Sequence, residues 1–174
     1  MPDEPANHSP LGPVHDAIPE GDDRLRKVCN DCGFIAYENP KVVTGAVCVW
    51  EGQILLCKRS IEPKAGYWTI PSGFLELGET MEQGAVRETW EEARARIEIT
   101  SLIGIYEIPH ISQIYVAYRA QMTGPDFAPG YESEDVKLCS FGDIPWEELA
   151  FPTIRWSLEN YYKNHGPVMA THTR

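Results

Sequence analysis

The chain of 174 residues has no apolar run near the ~20 residues that a membrane span requires, so no membrane partner is expected. Its first residues are acidic, neither Arg-rich nor apolar-cored, which predicts no targeting leader. Basic residues are scarce, 15 Lys and Arg against 26 Asp and Glu, for a net charge of −11. That balance leaves no basic face of the kind that non-specific nucleic-acid binding needs. Cysteines are few and odd in number, five, and Cys48 and Cys57 fall inside apolar strand-like runs. This fits a reducing, cytoplasmic compartment better than a disulfide framework. No internal repeat is visible. What is present is 43% apolar and 24% charged residues, which excludes a disordered polar chain. The length suits one domain plus a short extension, here 1–39 followed by 40–174.

The charge is unevenly placed. Residues 1–40 hold eight acids and three bases, and residues 73–92 hold six acids and only Arg87 as a base. A near-neutral body carrying a dense anionic block points to a cation site or to a highly solvated helix.

Residues 1–28 are rich in Pro, Asp and Glu and read as a loose extension, ahead of a tight knuckle, Cys29-Asn30-Asp31-Cys32-Gly33. Apolar or alternating runs at 42–50 and 53–58 flank Glu51-Gly52, a hairpin signal. A Pro- and Gly-punctuated loop leads to a helix with Thr80 as N-cap and Gln83 three residues on, running to about Ala93. Strands are expected near 96–107, 111–121 and 136–141, and helical pieces near 145–149 and 152–163. This order predicts a mixed α+β or α/β fold with a central mixed sheet.

On a helical wheel Glu88, Glu91 and Glu92 share one face, and Val86, Trp90 and Ala93 lie opposite, where they are expected to pack on a sheet. Like charges at these spacings destabilise an isolated helix by about 0.2–0.5 kcal/mol per pair. A divalent cation would offset this, since carboxylate oxygens are the hard ligands that Mg²⁺ prefers. An isolated E-x-x-E-E is more often a solvated acidic face. Here, however, it completes a longer pattern: Gly73, five residues, Glu79, seven residues, Arg87-Glu88, two residues, Glu91-Glu92. Six specified residues coincide by chance on the order of once in ten million registers.

This pattern resembles the Nudix box, G-x5-E-x7-R-E-U-x-E-E-x-G-U with U aliphatic. The resemblance extends over about 18–163, through IPEGDDRLRKVCNDCG, ENPKVVTGAV, LLCKRSIEPKAGYWTIPSGFLELGET, RETWEEA, and PGYES followed by IPWEELAF. These stretches are similar to the zinc-ribbon branch of Nudix hydrolases that cleave FAD or ADP-ribose type diphosphates. The NADH pyrophosphatase branch carries an SQPWPFP tract after the box, which is absent here. The resemblance implies an α/β/α sandwich around a mixed sheet, a nucleotide substrate, Mg²⁺ or Mn²⁺ as cofactor, and a homodimer. It implies metal ligation by Glu88, Glu91, Glu92 and the Gly73 carbonyl, with Arg87 and Glu79 as an orienting ion pair. The proton acceptor would be Glu88, Glu91 or Glu92, or an acid outside the box: Glu132, Glu134 or Asp135. A catalytically silent nucleotide-binding regulator on the same fold is the alternative.

Three box positions depart from the pattern. Thr89 and Ala95 stand where aliphatics are usual, and Arg94 replaces the glycine that ends the helix. A β-carbon in that left-handed position costs roughly 1 kcal/mol, so the helix is expected to run on or end differently. Gly84 lies inside the helix, where close packing would explain it. Lys58 and Arg59 are candidates for phosphate contact, and Tyr67, Trp68, Tyr106 and Tyr115 are candidates for stacking on a base. Cys29 and Cys32 form half of a zinc ribbon. The resemblance places the matching first pair at Asn7 and Pro10, neither of them a thiolate, and His8 and His15 are the nearby residues that could complete a site.

Overall fold

The computed structural model describes residues 12–163 and 166–171, and the chain divides into two compact units, Met1–Asn39 and Pro40–Arg174. Asn7, His8 and Pro10 lie outside the described residues.

In the first unit β1 (Pro13–Ala17), β2 (Arg26–Cys29) and β3 (Ile35–Ala36) pair antiparallel in that order. This corrects the expectation of a loose extension through residue 28. The strands carry no clear apolar alternation, so the sequence gives little sign of them, and main-chain pairing holds them instead. At the knuckle the Cys29 N–H donates to Phe34 O at 2.8 Å and the Gly33 N–H donates to Cys29 O at 2.9 Å. Gly33 turns there at φ 74°, a left-handed value that suits glycine.

The second unit opens with β4 (Lys41–Trp50) and β5 (Gln53–Arg59), joined by Glu51-Gly52 with both φ values positive, as the hairpin signal requires. Then come β6 (Trp68–Thr69), β7 (Ser72–Phe74), α1 (Met81–Ala93), β8 (Ile97–Ile108), β9 (Gln113–Met122), β10 (Ser133–Cys139), α2 (Pro152–Lys163) and β11 (Val168–Thr171). The piece expected near 145–149 is a single 3₁₀ turn at Trp146–Glu148. The sheet runs β10-β5-β4-β9-β8-β11, with β6 on β5 and β7 on β4. It is mixed, as expected: β4 with β9 and β8 with β11 are parallel, and the other pairs are antiparallel.

Alternate residues of the central strands serve two cores. Val47, Val49, Ile54, Leu56, Tyr115 and Ala117 pack with Ile154 and Leu158 of α2. Ala46, Cys48, Leu55, Cys57, Val116 and Tyr118 pack with Ala85 and Ala93 of α1. Each helix thus covers one face of the sheet, giving an α/β/α sandwich. No helix among the described residues is long and apolar enough to cross a membrane.

Candidate active site

Helix α1 starts with the expected reciprocal cap: the Gln83 N–H donates to Thr80 Oγ1 at 3.2 Å, and the Thr80 N–H donates to Gln83 Oε1 at 2.8 Å. Its end departs from expectation. The helix does not run on past Ala93; Arg94 itself adopts the left-handed conformation, at φ 52°. Its N–H donates to Trp90 O at 3.0 Å, and its guanidinium lies 5.7 Å from the Trp90 ring centre. The loop before β10 fastens the same end, with Ala128 N–H on Ala93 O at 2.8 Å and Gly130 N–H on Glu92 O at 2.9 Å. A β-carbon at Gly130 would collide with the carbonyl of Glu91.

The buried face of α1 is turned from the one expected: Ala93 packs on the sheet as anticipated, but Val86 and Trp90 do not. Val86 and Trp90 are exposed, at 38% and 42%, while Gly84, Ala85, Glu88, Thr89, Glu92 and Ala93 are buried. Small side chains decide this, because they let the helix lie close on the sheet. A β-carbon at Gly84 would stand 2.7 Å from Thr44 Cγ2 and 3.0 Å from Leu75 Cδ1. The Thr44 hydroxyl donates to Met81 O at 2.8 Å. Thr89 fits the apolar face because its hydroxyl donates to Ala85 O at 2.8 Å, leaving no unmatched polar group. Glu88 and Glu92 sit between these small residues and are carried inward with them.

Arg87 organises the acids. It donates to Glu79 twice, Nε at 3.0 Å and Nη2 at 2.6 Å, and to Phe74 O at 3.0 Å. Its Nη1 reaches Glu88 Oε1 at 2.7 Å and Glu91 Oε2 at 3.0 Å. The Arg87 bonds, with help from the Glu76 N–H, hold the Glu79 carboxyl down at about 2. Glu88 is raised instead, because burial outweighs its bond to Arg87. Glu92, only 4% exposed, is pushed up to about 8 by burial, against the single bond it accepts from the Ser72 N–H at 3.2 Å. The Arg59 charge lowers Glu92 and the Glu132 charge raises both Glu88 and Glu92, so these two groups are electrostatic neighbours of the acids. Gly73 lies directly against the Glu88 carboxyl, where any β-carbon would overlap it.

Among the described residues, no three His, Cys, Asp or Glu side chains stand close enough, as placed, to hold a metal ion. The Arg87 guanidinium bridges Glu88 and Glu91 in this arrangement. The donors nevertheless fit a hard cation: carboxylate oxygens, a glycine that leaves room for one of them, and a buried acid with one weak hydrogen bond.

The outer candidates separate. Lys58 is paired with Glu134 at 2.8 Å, and Asp135 accepts the Val136 N–H at 2.8 Å. Arg59 donates to Pro63 O at 2.9 Å, and its guanidinium lies 5.3 Å from the Phe151 ring centre. Trp68 and Tyr106 are core residues, which corrects their candidacy as base contacts: Lys137 lies 4.0 Å from the Trp68 ring centre, and the Tyr106 hydroxyl accepts from Asn160 at 2.7 Å. Tyr115 is buried too, whereas Tyr67 and Tyr131 are exposed, Tyr131 at 91%. Sequence reasoning missed the Ser72 amide and Gly130, since main-chain donors and close approaches have no motif; a glycine two residues before Glu132 was the available signal.

The cysteines differ by unit. The amides of Cys32, Asp31 and Gly12 and the Cys32 thiol bond to Cys29 and hold its thiol below the ordinary value. Cys32 is exposed, and His15 on β1 is exposed. Cys48 is pushed up to about 12 by burial, and burial also raises Cys57 and Cys139.

This α/β/α sandwich sets the buried carboxylates of α1 against the glycine of β7. The chain belongs to the Nudix family: the NUDIX domain matches residues 39–161, and the Nudix N-terminal family, a zinc ribbon, matches 12–38. A Nudix hydrolase structure from Nitrosomonas europaea superposes with a TM-score of 0.88 at 44% identity, covering 92% of this chain and 94% of that one. An ADP-ribose pyrophosphatase of Methanocaldococcus jannaschii is 30% identical over 121 residues, 66% of this chain and 69% of the relative. A NAD-capped RNA hydrolase of Chromobacterium violaceum is 32% identical over 62% of this chain, which spans only 40% of that relative. The protein is accordingly a Nudix hydrolase.

Proposed function

We propose that the chain hydrolyses the pyrophosphate bond of a nucleoside diphosphate linked to another moiety, FAD or ADP-ribose being favoured, and releases AMP with FMN or ribose 5-phosphate. The observation that carries this reading is the pair of buried acids, Glu88 against Gly73 and Glu92 on the Ser72 amide, anchored through Arg87 to Glu79. The ADP-ribose pyrophosphatase among the relatives supports the substrate class.

Glu88, Glu92, the Gly73 carbonyl and, from the exposed side, Glu91 would hold Mg²⁺ or Mn²⁺. When bound, such an ion neutralises diphosphate oxygens and acidifies a water. Arg87 orients Glu88 and Glu91 and ties α1 to the Phe74 carbonyl, linking the acids to the glycine loop. Glu132 is the outside acid best placed to accept the proton of the attacking water, because Glu134 and Asp135 are engaged elsewhere. Arg59 is an electrostatic neighbour of Glu92 and would supply positive charge to a phosphate, and the exposed rings of Tyr67 and Tyr131 offer faces for a base. By resemblance, the assembled state is a homodimer and the compartment the cytoplasm.

The test is a product screen by mass spectrometry over FAD, ADP-ribose, NADH, diadenosine polyphosphates and nucleoside triphosphates, in Mg²⁺ and in Mn²⁺. AMP plus FMN or ribose 5-phosphate is expected. Turnover confined to triphosphates would overturn the substrate class, and ADP-ribose binding without turnover would select the silent regulator.

A further inference from the structure

One buried polar atom near the site has no role in the reading above. Among the described residues the Tyr115 hydroxyl is buried without a hydrogen bond of normal geometry, although the Ser72 side chain lies close enough to act on it. Its ring belongs to the core on the α2 side of the sheet. Packing alone gives no reason for that oxygen, since a Phe ring would fill the same volume without an unmatched polar atom.

The surroundings of the hydroxyl are specific. Gly45 of β4 pairs in register with Ser72 of β7. A β-carbon on Gly45 would overlap Ser72 Cβ and stand 2.8 Å from the Tyr115 hydroxyl and 2.7 Å from Pro71 O. The missing side chain at Gly45 therefore creates the space in which Tyr115 and Ser72 meet. Ser72 already donates its own hydroxyl to Ile70 O at 3.2 Å, so its Oγ has lone pairs free to accept. Its N–H, on the other side, donates to Glu92 Oε2 at 3.2 Å. Tyr115 reaches Ser72 from the α2 side of the sheet and Glu92 reaches it from the α1 side, with Ser72 between them.

We propose that Tyr115 is a positioning residue for the carboxylate site, its hydroxyl donating to Ser72 Oγ in the metal-loaded chain and so fixing the Ser72 amide on Glu92 and the neighbouring Gly73 carbonyl. This rests on the reading of Glu92 and Gly73 as ligands of a divalent metal. Tyr115 itself touches neither metal nor substrate. It acts through one main-chain segment, Pro71 to Gly73, that carries both the amide and the carbonyl.

The experiment titrates Mn²⁺ by the loss of its free electron-paramagnetic signal, in the parent full-length chain, Glu92→Gln, Tyr115→Phe, Ser72→Ala and the Tyr115→Phe/Ser72→Ala double variant. Metal-free melting temperatures are measured beside it. Tyr115→Phe is expected to keep or raise the metal-free melting temperature while weakening Mn²⁺ binding about three- to tenfold, the scale of one hydrogen bond. Ser72→Ala should weaken it similarly, and the double variant no more than the worse single, because both act through one contact. Unchanged Mn²⁺ affinity in Tyr115→Phe overturns the proposal. So do losses that multiply in the double variant, and so does a lower metal-free melting temperature, which would assign the hydroxyl to the fold. The metal reading fails separately, and takes this proposal with it, if the parent binds no Mn²⁺ or if Glu92→Gln binds as the parent does.

Discussion

Arg87 grips Glu79 with two hydrogen bonds, at 3.0 and 2.6 Å, across the loop that joins β7 to α1. The same guanidinium reaches Glu88 and Glu91, so one side chain sets both the loop and the acids. A lysine at this position keeps the charge but loses the planar fork. Arg87→Lys is expected to lower kcat by about 10- to 100-fold, the effect of a small misplacement of acting groups. Steady-state kinetics on the substrate found in the product screen would check it, and an unchanged kcat would remove Arg87 from the organising role.

Burial gives the metal-free chain an unusual pH dependence. Glu92 has a folded value of about 8 against an ordinary 4.5, so its contribution is fully present below about 4.5 and is lost as pH rises through about 8. Glu79 works in the opposite sense: held at about 2, it stabilises above 4.5 and loses that contribution as pH falls toward 2. The melting temperature in a chelator should therefore decline from pH 5 to pH 8, and Glu92→Gln should reduce the decline to the part that Glu88, also raised by burial, contributes. Scanning calorimetry over that range decides it, and a slope that survives undiminished in Glu92→Gln would point to other groups.

Gly73→Ala places a methyl group where the Glu88 carboxyl lies. Overpacking of this kind costs about 1–3 kcal/mol. We expect the substitution to expel Glu88 from its position, with at least about a hundredfold loss of turnover and weakened Mn²⁺ binding. Retained activity would show that Glu88 does not need this contact.

Much of this site is legible in the sequence, because spacing along a helix and a loop is a local property. The capping box at Thr80 and Gln83, the Glu51-Gly52 turn, helix α2 and the Gly73-to-Glu92 pattern all depend on neighbours within a few positions. The face that α1 buries is a different matter. A wheel fixes the angles between Glu88, Trp90 and Glu92 but not which arc meets the sheet. That choice is made by Gly84, Ala85 and Ala93, whose small size admits a close approach that Val86 and Trp90 would block. Trp68 and Tyr106 were equally ambiguous, since a strand aromatic reads the same whether it lines a cleft or fills a core. The three short strands of the extension depend on main-chain pairing between distant residues and leave little periodic trace.

Arg94 holds a left-handed conformation that glycine adopts without steric cost. Arg94→Gly is expected to stabilise the chain by about 1 kcal/mol, or about 2–4 °C in melting temperature, with kcat unchanged. Loss of the contact with Trp90 works against this gain. A melting temperature that falls would show that the stacked guanidinium outweighs the strain.

The contrast among the thiols has a practical consequence. Cys48, Cys57 and Cys139 are buried and held protonated, so an alkylating reagent finds neither access nor thiolate there. Cys32 is open to solvent, and hydrogen bonds from the knuckle lower the thiol pKa of its neighbour Cys29. A maleimide dye added to the native protein would thus report on the knuckle alone, giving a label on the extension while the hydrolase unit stays chemically silent.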